Sequence, residues 1–202
     1  MQGRPTDGAV RAKRSSLRLC RVATEEGDSQ LAREGDPARW LAYVTEGCFK
    51  YVTHGLSERL RVGDRRSGIE RAHITWFSFE GEFVVDYPAY LYAHPARTSI
   101  VAMMPSRVLR VTGEQMKQYF SQNIETMEFR AVIAEHILNQ FHSRYLDLHR
   151  ATPRERYDLL MQRCPGIVEH LDLQDIASFL NVHPNTISKI RRDITFEGRK
   201  QG

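Results

Sequence analysis

A short pattern near the C-terminus, residues 173–192, constrains the fold more than any other feature of the chain. Ala177 falls where two helices would cross and only a small side chain fits. Asn181 falls at a tight turn, where the backbone is usually left-handed and asparagine is the best tolerated residue after glycine. The positions that hold such helices together are all apolar: Ile176, Leu180, Val182, Ile187 and Ile190. The pattern predicts a helix-turn-helix.

The ends and the outer face of this motif point to a partner. Asp172 can cap the first helix, and His183-Pro184 begins the second with proline in its first turn. The predicted outer face of the second helix has one nearby acid, Asp193, and consists of Asn185, Thr186, Ser188, Lys189, Arg191 and Arg192. Amides, hydroxyls and cations suit base edges and phosphates, so duplex DNA is the expected partner. The alternative is a pair of small core helices that never contacts DNA.

A long helix is predicted before this motif. Thr112-Gly113-Glu114-Gln115 has the form of a capping box. From Phe120 onward, apolar residues recur in alternating steps of four and three, which is the spacing of a two-helix seam. The seam positions are Phe120, Ile124, Met127, Ala131, Ala134, Leu138, Phe141, Tyr145 and Leu148.

Such a stripe packs either on the core of its own domain or on a partner helix. Its narrow, strict spacing and its polar neighbours favour a partner helix. Ala131 and Ala134 in the middle would permit a close approach of two backbones, whereas Ile133 and Ile137 beside the seam would pack on the rest of the chain. We therefore expect a homodimer.

The N-terminal half has a different pattern of residue types. Short runs with β-branched and aromatic residues, at 40–52, 74–79 and 98–111, are separated by turn residues and predict an antiparallel β-roll or barrel. A second capping box, Thr152-Pro153-Arg154-Glu155, begins a further domain. We expect an α+β protein with a β-roll domain at 1–111, a long dimerisation helix at 112–150 and a helix-turn-helix domain at 151–202.

Composition excludes several classes of protein. The 202 residues are 41% hydrophobic, enough to bury real cores, yet they contain no apolar run long enough for a membrane span or a signal peptide. We expect a cytoplasmic protein with no membrane partner. Cys20, Cys48 and Cys164 lie far apart, which gives no support to a disulfide framework or a zinc ribbon. The net charge of +4 suits a nucleic-acid binder.

The order of these parts resembles the cyclic-AMP receptor and fumarate-nitrate regulator (CRP/FNR) superfamily of bacterial transcription regulators, from about Leu19 to the end of the chain. Leu31-Ala32-Arg33-Glu34-Gly35-Asp36 resembles the first half of the cyclic-nucleotide-binding roll. Thr152-Pro153-Arg154-Glu155-Arg156-Tyr157 resembles the entry to the winged-helix-like DNA-binding domain. The resemblance implies a dimeric activator or repressor that binds a palindromic operator and works with RNA polymerase.

The resemblance also assigns residues to DNA. It places Pro184, Asn185, Ser188 and Lys189 at base edges, with His183 and Thr186 near phosphates. The commonest family pattern has Arg-Glu or Pro-Glu in place of Pro184-Asn185, and arginine in place of Lys189. Asparagine suits adenine whereas glutamate accepts from cytosine, so we expect an operator different from the usual one.

An effector site is suggested by two short pairs. Gly81-Glu82 and Arg97-Thr98 look like the family's ribose-binding and phosphate-binding pairs. Their spacing is several residues too long, however, and the intervening stretch 83–96 is unusually aromatic. One interpretation is a cyclic nucleotide held by Arg97. The other, which the sequence favours, makes Glu82 and Arg97 ordinary surface or salt-bridged residues, with a pocket for an effector that the sequence does not specify.

Enzymatic chemistry has little support in the sequence. His136, His142 and His149 do not have the i, i+4 spacing that chelates a metal on one helix, and we expect neither a metal site nor catalysis. The rival hypotheses are a ligand-binding module with a vestigial DNA-binding domain and a small metal-dependent β-barrel enzyme. Residues 195–202 are expected to form at most a stub of the β-hairpin wing that relatives often carry.

Overall fold

The computed structural model describes residues 20–54, 72–163 and 171–200. The predicted loose arm at 1–17, the turn at Gly63-Asp64 and the helix stop at Cys164-Pro165-Gly166 lie outside these residues. The chain divides into two compact units. The first contains the described residues of Met1–Phe49 with Ser78–Ser143, and the second those of Lys50–Phe77 with Arg144–Gly202.

The strands of the β-rich part are β1 (Arg21–Glu25), β2 (Gln30–Ala32), β3 (Trp40–Glu46), β4 (Cys48–Thr53), β5 (His73–Phe79), β6 (Phe83–Val84), β7 (Ser99–Ala102) and β8 (Ser106–Thr112). They form two four-stranded sheets, ordered β1-β8-β3-β6 and β2-β7-β4-β5. The pairings of β8 with β1 and β3, of β3 with β6 and of β2 with β7 are antiparallel, as expected for a roll.

Register and turn chemistry fix the centre of the first sheet. Leu41 pairs with Val111 and Val44 with Val108, and all four side chains are buried. The turn from β3 to β4 passes through Gly47 at φ +92, where an added Cβ would collide with the Ser106 side chain. A side chain at this position is excluded both by its backbone conformation and by its neighbour.

Three helices are associated with this part: α1 (Tyr87–Tyr92), α2 (Gly113–Phe120) and α3 (Ile124–Arg150). The capping box at Thr112 is confirmed, because Gln115 N donates to Thr112 Oγ1 at 3.2 Å and Thr112 N donates to Gln115 Oε1 at 3.2 Å. The long helix is not continuous from this cap, since α2 ends at Phe120 and α3 starts anew at Ile124.

Asn123 caps the start of α3. Thr126 N donates to Asn123 Oδ1 at 3.0 Å, and Asn123 N donates to Thr126 Oγ1 at 3.3 Å. The prediction of an unbroken seam from Phe120 is therefore wrong at its first position. Phe120 ends α2 and is buried in the core of its own unit, so the stripe on α3 begins at Ile124.

That core lies between the first sheet and the helices. Phe129, Ile133 and Ile137 of α3 are buried in one cluster with Leu41 and Val111 of the sheet. The expectation that Ile133 and Ile137 pack on the β-rich part is confirmed. One face of α3 is thus buried within the unit, which leaves its other faces for other contacts.

The second unit contains α4 (Pro153–Arg163), α5 (Leu173–Leu180) and α6 (Pro184–Lys200), together with β5 up to Phe77 and most of β4. The capping box at Thr152 is confirmed by bonds of 2.7 Å and 3.3 Å with Glu155. The helix continues to Lys200, so residues 195–200 form no wing hairpin, which agrees with the expectation of at most a stub. Arg154 of α4 pairs with Glu197 at 3.1 Å and ties down this last part of α6.

Candidate nucleic-acid interface

The helix-turn-helix is present as predicted. Asn181 joins α5 to α6 with φ 52 and ψ 51, the left-handed conformation. Asp172 Oδ1 accepts from Asp175 N at 2.7 Å and caps α5. The residues expected at the helix contact are buried except for Val182, which is half-buried; the buried ones are Ile176, Ala177, Leu180, Ile187 and Ile190.

His183 has a role that the sequence did not reveal. Its Nδ1 accepts a hydrogen bond from Asn185 N at 3.2 Å, and its carbonyl accepts from Thr186 N at 2.8 Å. A neutral imidazole that accepts at Nδ1 carries its proton on Nε2, which remains a donor. The side chain therefore closes the first turn of α6 and still has one N–H to offer to a phosphate.

The outer face of α6 presents polar groups and charge. Asn185, Ser188, Lys189 and Arg192 are exposed, and they lie opposite the buried Ile187. Within the described part of the chain, Lys189 and Arg192 form no ion pair. A helix held from behind by an apolar side chain and carrying unpaired cations in front has the chemistry of a surface that enters a DNA groove. Thr186 is half-buried at the edge of this face.

Arg191 does not lie on that face, so its predicted place among the exposed residues is wrong. Its Nε donates to Tyr157 Oη of α4 at 3.3 Å, and the side chain is half-buried. The helical period explains the difference, because position 191 follows the buried Ile187 by four residues and shares its side of the helix. Arg191 holds α6 against α4 within the second unit.

Strands of the same unit support α5. Lys50 Nζ of β4 lies 2.8 Å from Asp175 Oδ2, and Ile74 N of β5 donates to Ser178 Oγ at 2.9 Å. Phe77 packs against Phe179 with ring centroids 4.6 Å apart. These contacts fix α5, and through the Asn181 turn they position α6 as well.

Arg144, in the last part of α3, caps the other end of α5. Its guanidinium donates to the carbonyl oxygen of Phe179, which is one of the last four carbonyls of the helix, and stacks 3.6 Å over the Phe179 ring. Burial, and next the charges of Arg156 and Arg163, lower the pKa of Arg144 to about 10. The side chain therefore keeps its charge at neutral pH, where it complements the negative end of the helix dipole.

The stripe on α3 is largely exposed in the single chain. Ile124 is 72% exposed and Leu138 is 68% exposed. Met127, Ala131, Phe141 and Tyr145 are also exposed, while Ala134 and Leu148 are half-buried. The face that carries these residues is distinct from the face that carries Ile133, so the chain leaves a row of apolar side chains in water.

The residues predicted to hold a cyclic nucleotide have other partners. Glu82 Oε2 accepts from Phe79 N at 3.2 Å, across the turn that Gly81 makes at φ +85. Arg97 N donates to Asp86 Oδ2 at 2.7 Å, and Thr98 Oγ1 donates to the same oxygen at 3.4 Å. The Arg97 side chain is exposed.

Asp86 is the residue that sequence reasoning missed at this site. It is 8% exposed, and its second oxygen accepts from Ala89 N at 3.3 Å in the first turn of α1. The Asp86 carboxylate thus accepts hydrogen bonds from the amide and hydroxyl groups that the resemblance would assign to a bound phosphate. The residues present do not fit a cyclic phosphate here, because a second anion would be repelled and would find its donors already bonded.

Described residues of the first unit line two cavities, and none of Gly81, Glu82, Arg97 and Thr98 belongs to either lining. One, of about 240 Å³, is apolar and lies between the first sheet and the helices, with Leu41, Phe83 and Phe129 in its walls. The other, of about 380 Å³, is open to solvent on one side and is lined by residues of α1, α2 and the start of α3. Part of the aromatic stretch thus forms a wall of a cavity, since Tyr87 and Tyr90 line the larger one.

Across residues 20–54, 72–163 and 171–200, no three histidine, cysteine, aspartate or glutamate side chains are grouped so that they could hold a metal ion. In those ranges no helix combines the length and the apolar character needed to cross a bilayer. Neither Cys20 nor Cys48 is in a disulfide within the described residues, and Cys164 lies outside them.

No protein-family model and no curated protein matches the sequence. Solved structures match its fold. FixK2 from Bradyrhizobium japonicum aligns with a TM-score of 0.70 at 16% identity, over 89% of this chain and 86% of that chain. CLP, a c-di-GMP responsive global regulator of Xanthomonas campestris, aligns at 0.63 and 13%, over 96% and 93%. Catabolite activator protein of Thermus thermophilus aligns at 0.51 and 15%, over 98% and 86%. At these identities the likeness establishes the fold, which is that of the CRP/FNR regulators and of the predicted α+β class.

Proposed function

We propose that this chain is a dimeric, sequence-specific DNA-binding transcription regulator of the CRP/FNR type. The observation that carries the proposal is the outer face of α6, where exposed amide, hydroxyl and cationic groups are anchored from behind by Ile187. Transcription regulators with the same fold support it.

The residues of α6 divide into two roles. Asn185, Ser188 and Lys189 lie on successive exposed positions of the first turns and read base edges in the major groove, with Asn185 suited to adenine. Arg192, further along the helix, and the Nε2 donor of His183 contact phosphates. Arg191 has no part in this surface because it is bonded to Tyr157.

The exposed stripe on α3 is the dimer seam. Two copies related by a two-fold axis would bury Ile124, Leu138 and Phe141 against one another, and the small Ala131 would let the helices approach closely. A two-fold dimer presents two copies of α6, which predicts a palindromic operator with half-sites about one DNA turn apart. In the cytoplasm, RNA polymerase would be the further partner, and a signal in the β-rich part would act through seam packing.

The test is a selection of bound sequences from random duplexes, followed by fluorescence-anisotropy titrations of the selected site at several salt concentrations. Lys189→Gln should weaken binding by about 1–3 kcal/mol and relax the preference at one base pair. Arg192→Gln should weaken binding to all sequences and lower the salt slope by about one unit.

Arg21→Gln is the matched control, because Arg21 is an exposed cation on β1, outside α6. It should leave affinity and salt slope unchanged. Equal effects of all three substitutions, or binding without a salt slope, would contradict the assignment of α6 as the DNA-contacting surface.

A further inference from the structure

The exposed stripe on α3 has opposite charges on its two sides. Arg130 precedes Ala131 of the stripe by one residue, and Glu135 follows Ala134 by one residue. Because a helix turns by about 100° per residue, these two side chains lie on opposite flanks of the stripe. Both are exposed to solvent. The middle of the stripe therefore has a cation along one edge and an anion along the other.

Neither charge is paired within the described part of the chain. The ion pairs found in residues 20–54, 72–163 and 171–200 include neither Arg130 nor Glu135. Side chains of one helix pair when they are three or four residues apart, and those positions hold no charged residue for either of them. Their own spacing places them too far around the helix to pair with each other. Both charges are therefore available to a partner that packs on the stripe.

The two flanks keep their difference in sign along the helix. Glu128, which lies seven residues before Glu135 on the same flank, is also exposed. On the flank of Arg130 the next position, Ile137, is buried in the core of the unit, and the following one, Arg144, is engaged in capping α5. Arg130 thus offers its flank's charge to a partner, whereas acids occupy the other flank.

Two copies of α3 can meet along the stripe in either direction. In a parallel pair each flank of one helix lies beside the opposite flank of the other, whereas like flanks meet in an antiparallel pair. A parallel pair would bring Arg130 of each copy to Glu135 of the partner subunit. The small Ala131 and Ala134 lie between these positions and let the two backbones approach closely. An antiparallel pair would place acids opposite acids along one edge, which is unfavourable.

We propose that Arg130 and Glu135 select the partner of this chain, which is a second copy packed in parallel on the stripe. Reciprocal ion pairs between Arg130 and the partner subunit's Glu135 fix the register, while the apolar residues of the stripe supply the buried area. The inference rests on the dimer of the proposed function. It adds which chains can pair, because a chain of the same fold with another charge at either position would be disfavoured as a partner.

Charge-reversal variants of the full chain test the pairing by sedimentation equilibrium, without reference to DNA. Arg130→Glu and Glu135→Arg each replace two attractions in the dimer by two repulsions, so each should raise the dissociation constant about tenfold or more at low salt. Arg130→Gln, which adds no repulsion, should have a smaller effect of the same sign. At about 1 M salt, where the Debye length is about 3 Å, all three variants should approach the parent protein.

The double variant Arg130→Glu/Glu135→Arg restores both ion pairs with their signs exchanged. Its dissociation constant should return to within about threefold of the parent value, a rescue that independent effects of the two substitutions would not produce. In an antiparallel dimer neither single reversal would exchange attraction for repulsion, so the pattern of weakening and rescue also reports the direction of the helices.

Arg150→Glu is the matched control, because Arg150 is an exposed cation of α3 on the face opposite to the stripe. It changes the charge of the chain by the same amount as Arg130→Glu and should leave the dissociation constant nearly unchanged. The substituted side chains are all exposed, so the variants should fold as the parent does, which circular dichroism checks.

Three results would overturn the pairing: no change in either single reversal, a double variant as weak as the single ones, or an equal effect of Arg150→Glu. A parent protein that dimerises while its charge variants do not respond would keep the dimer of the proposed function and lose only this inference. A parent protein that remains monomeric would remove the proposed dimer, and the pairing with it.

Discussion

Leu138→Ala should weaken dimerisation by an amount that the structure allows to be worked out. Leu138 is 68% exposed in the single chain, and the substitution removes three carbon groups from its side chain. Full burial of three such groups contributes about 2.4 kcal/mol, at about 0.8 kcal/mol each. The exposed share that a seam would newly bury is therefore worth about 1.6 kcal/mol per chain. A two-fold dimer contains the residue twice, which gives about 3.2 kcal/mol and a dissociation constant raised about 200-fold.

Sedimentation equilibrium over a wide range of protein concentration measures this shift. Val132→Ala is the control, because Val132 is also an exposed apolar residue of α3 but lies on another face of the helix. It should leave the dissociation constant nearly unchanged. A parent protein that remains monomeric at high concentration, or equal shifts for the two variants, would refute the assignment of the stripe as a dimer seam.

Three further predictions concern stability. Asn181→Ala should lower the free energy of unfolding by about 1–2 kcal/mol, because alanine is strained at φ 52, whereas Asn181→Gly should be tolerated; urea denaturation compares the two. Asp86→Ala should lower it by about 1–3 kcal/mol by leaving buried donors unpaired, while the same change at the exposed Asp193 should have little effect in that assay. Hydrogen bonds from Thr152 lower the pKa of Glu155, so the capping box should be intact above the ordinary glutamate pKa and be lost as the pH falls through the lowered value. An NMR titration of the Glu155 carboxyl carbon measures this pKa. The same titration curve in the parent protein and in Thr152→Ala would contradict the prediction.

The helix-turn-helix could be predicted from sequence because each of its constraints is local. Ala177, Asn181 and Asp172 meet requirements set within a few residues, and the structure places each of them as expected. The same holds for the capping boxes at Thr112 and Thr152. Short-range hydrogen bonds and helical periodicity are readable from residue spacing alone.

The errors arose where two local signals competed or where a contact spans a long stretch of chain. The seam spacing continued through Phe120, although Asn123 and Thr126 carried the signal of a new cap that was overlooked. The four-residue step from Ile187 could have placed Arg191 on the inner side of α6, but its partner Tyr157 lies on another helix. The bonds of Asp86 with Arg97 and Thr98 depend on how the chain returns after α1, which spacing does not reveal.

The division into domains at 1–111, 112–150 and 151–202 stays a prediction, as do the DNA-contacting and dimerising roles of individual residues. Hydrogen exchange across the described residues would show whether α3 opens with the β-rich part or with the C-terminal helices.

The joint between α2 and α3 interrupts the helical hydrogen bonding, although Phe120 of α2 still contacts Phe129 of α3. The last turn of α2 closes on the carbonyls of Lys117 and Tyr119, and the first turn of α3 closes on that of Asn123. A swivel of α2 about this joint would therefore break none of these backbone bonds. Lengthening the joint by one residue would rotate α2 while leaving the phase of every side chain from Ile124 onward as it was.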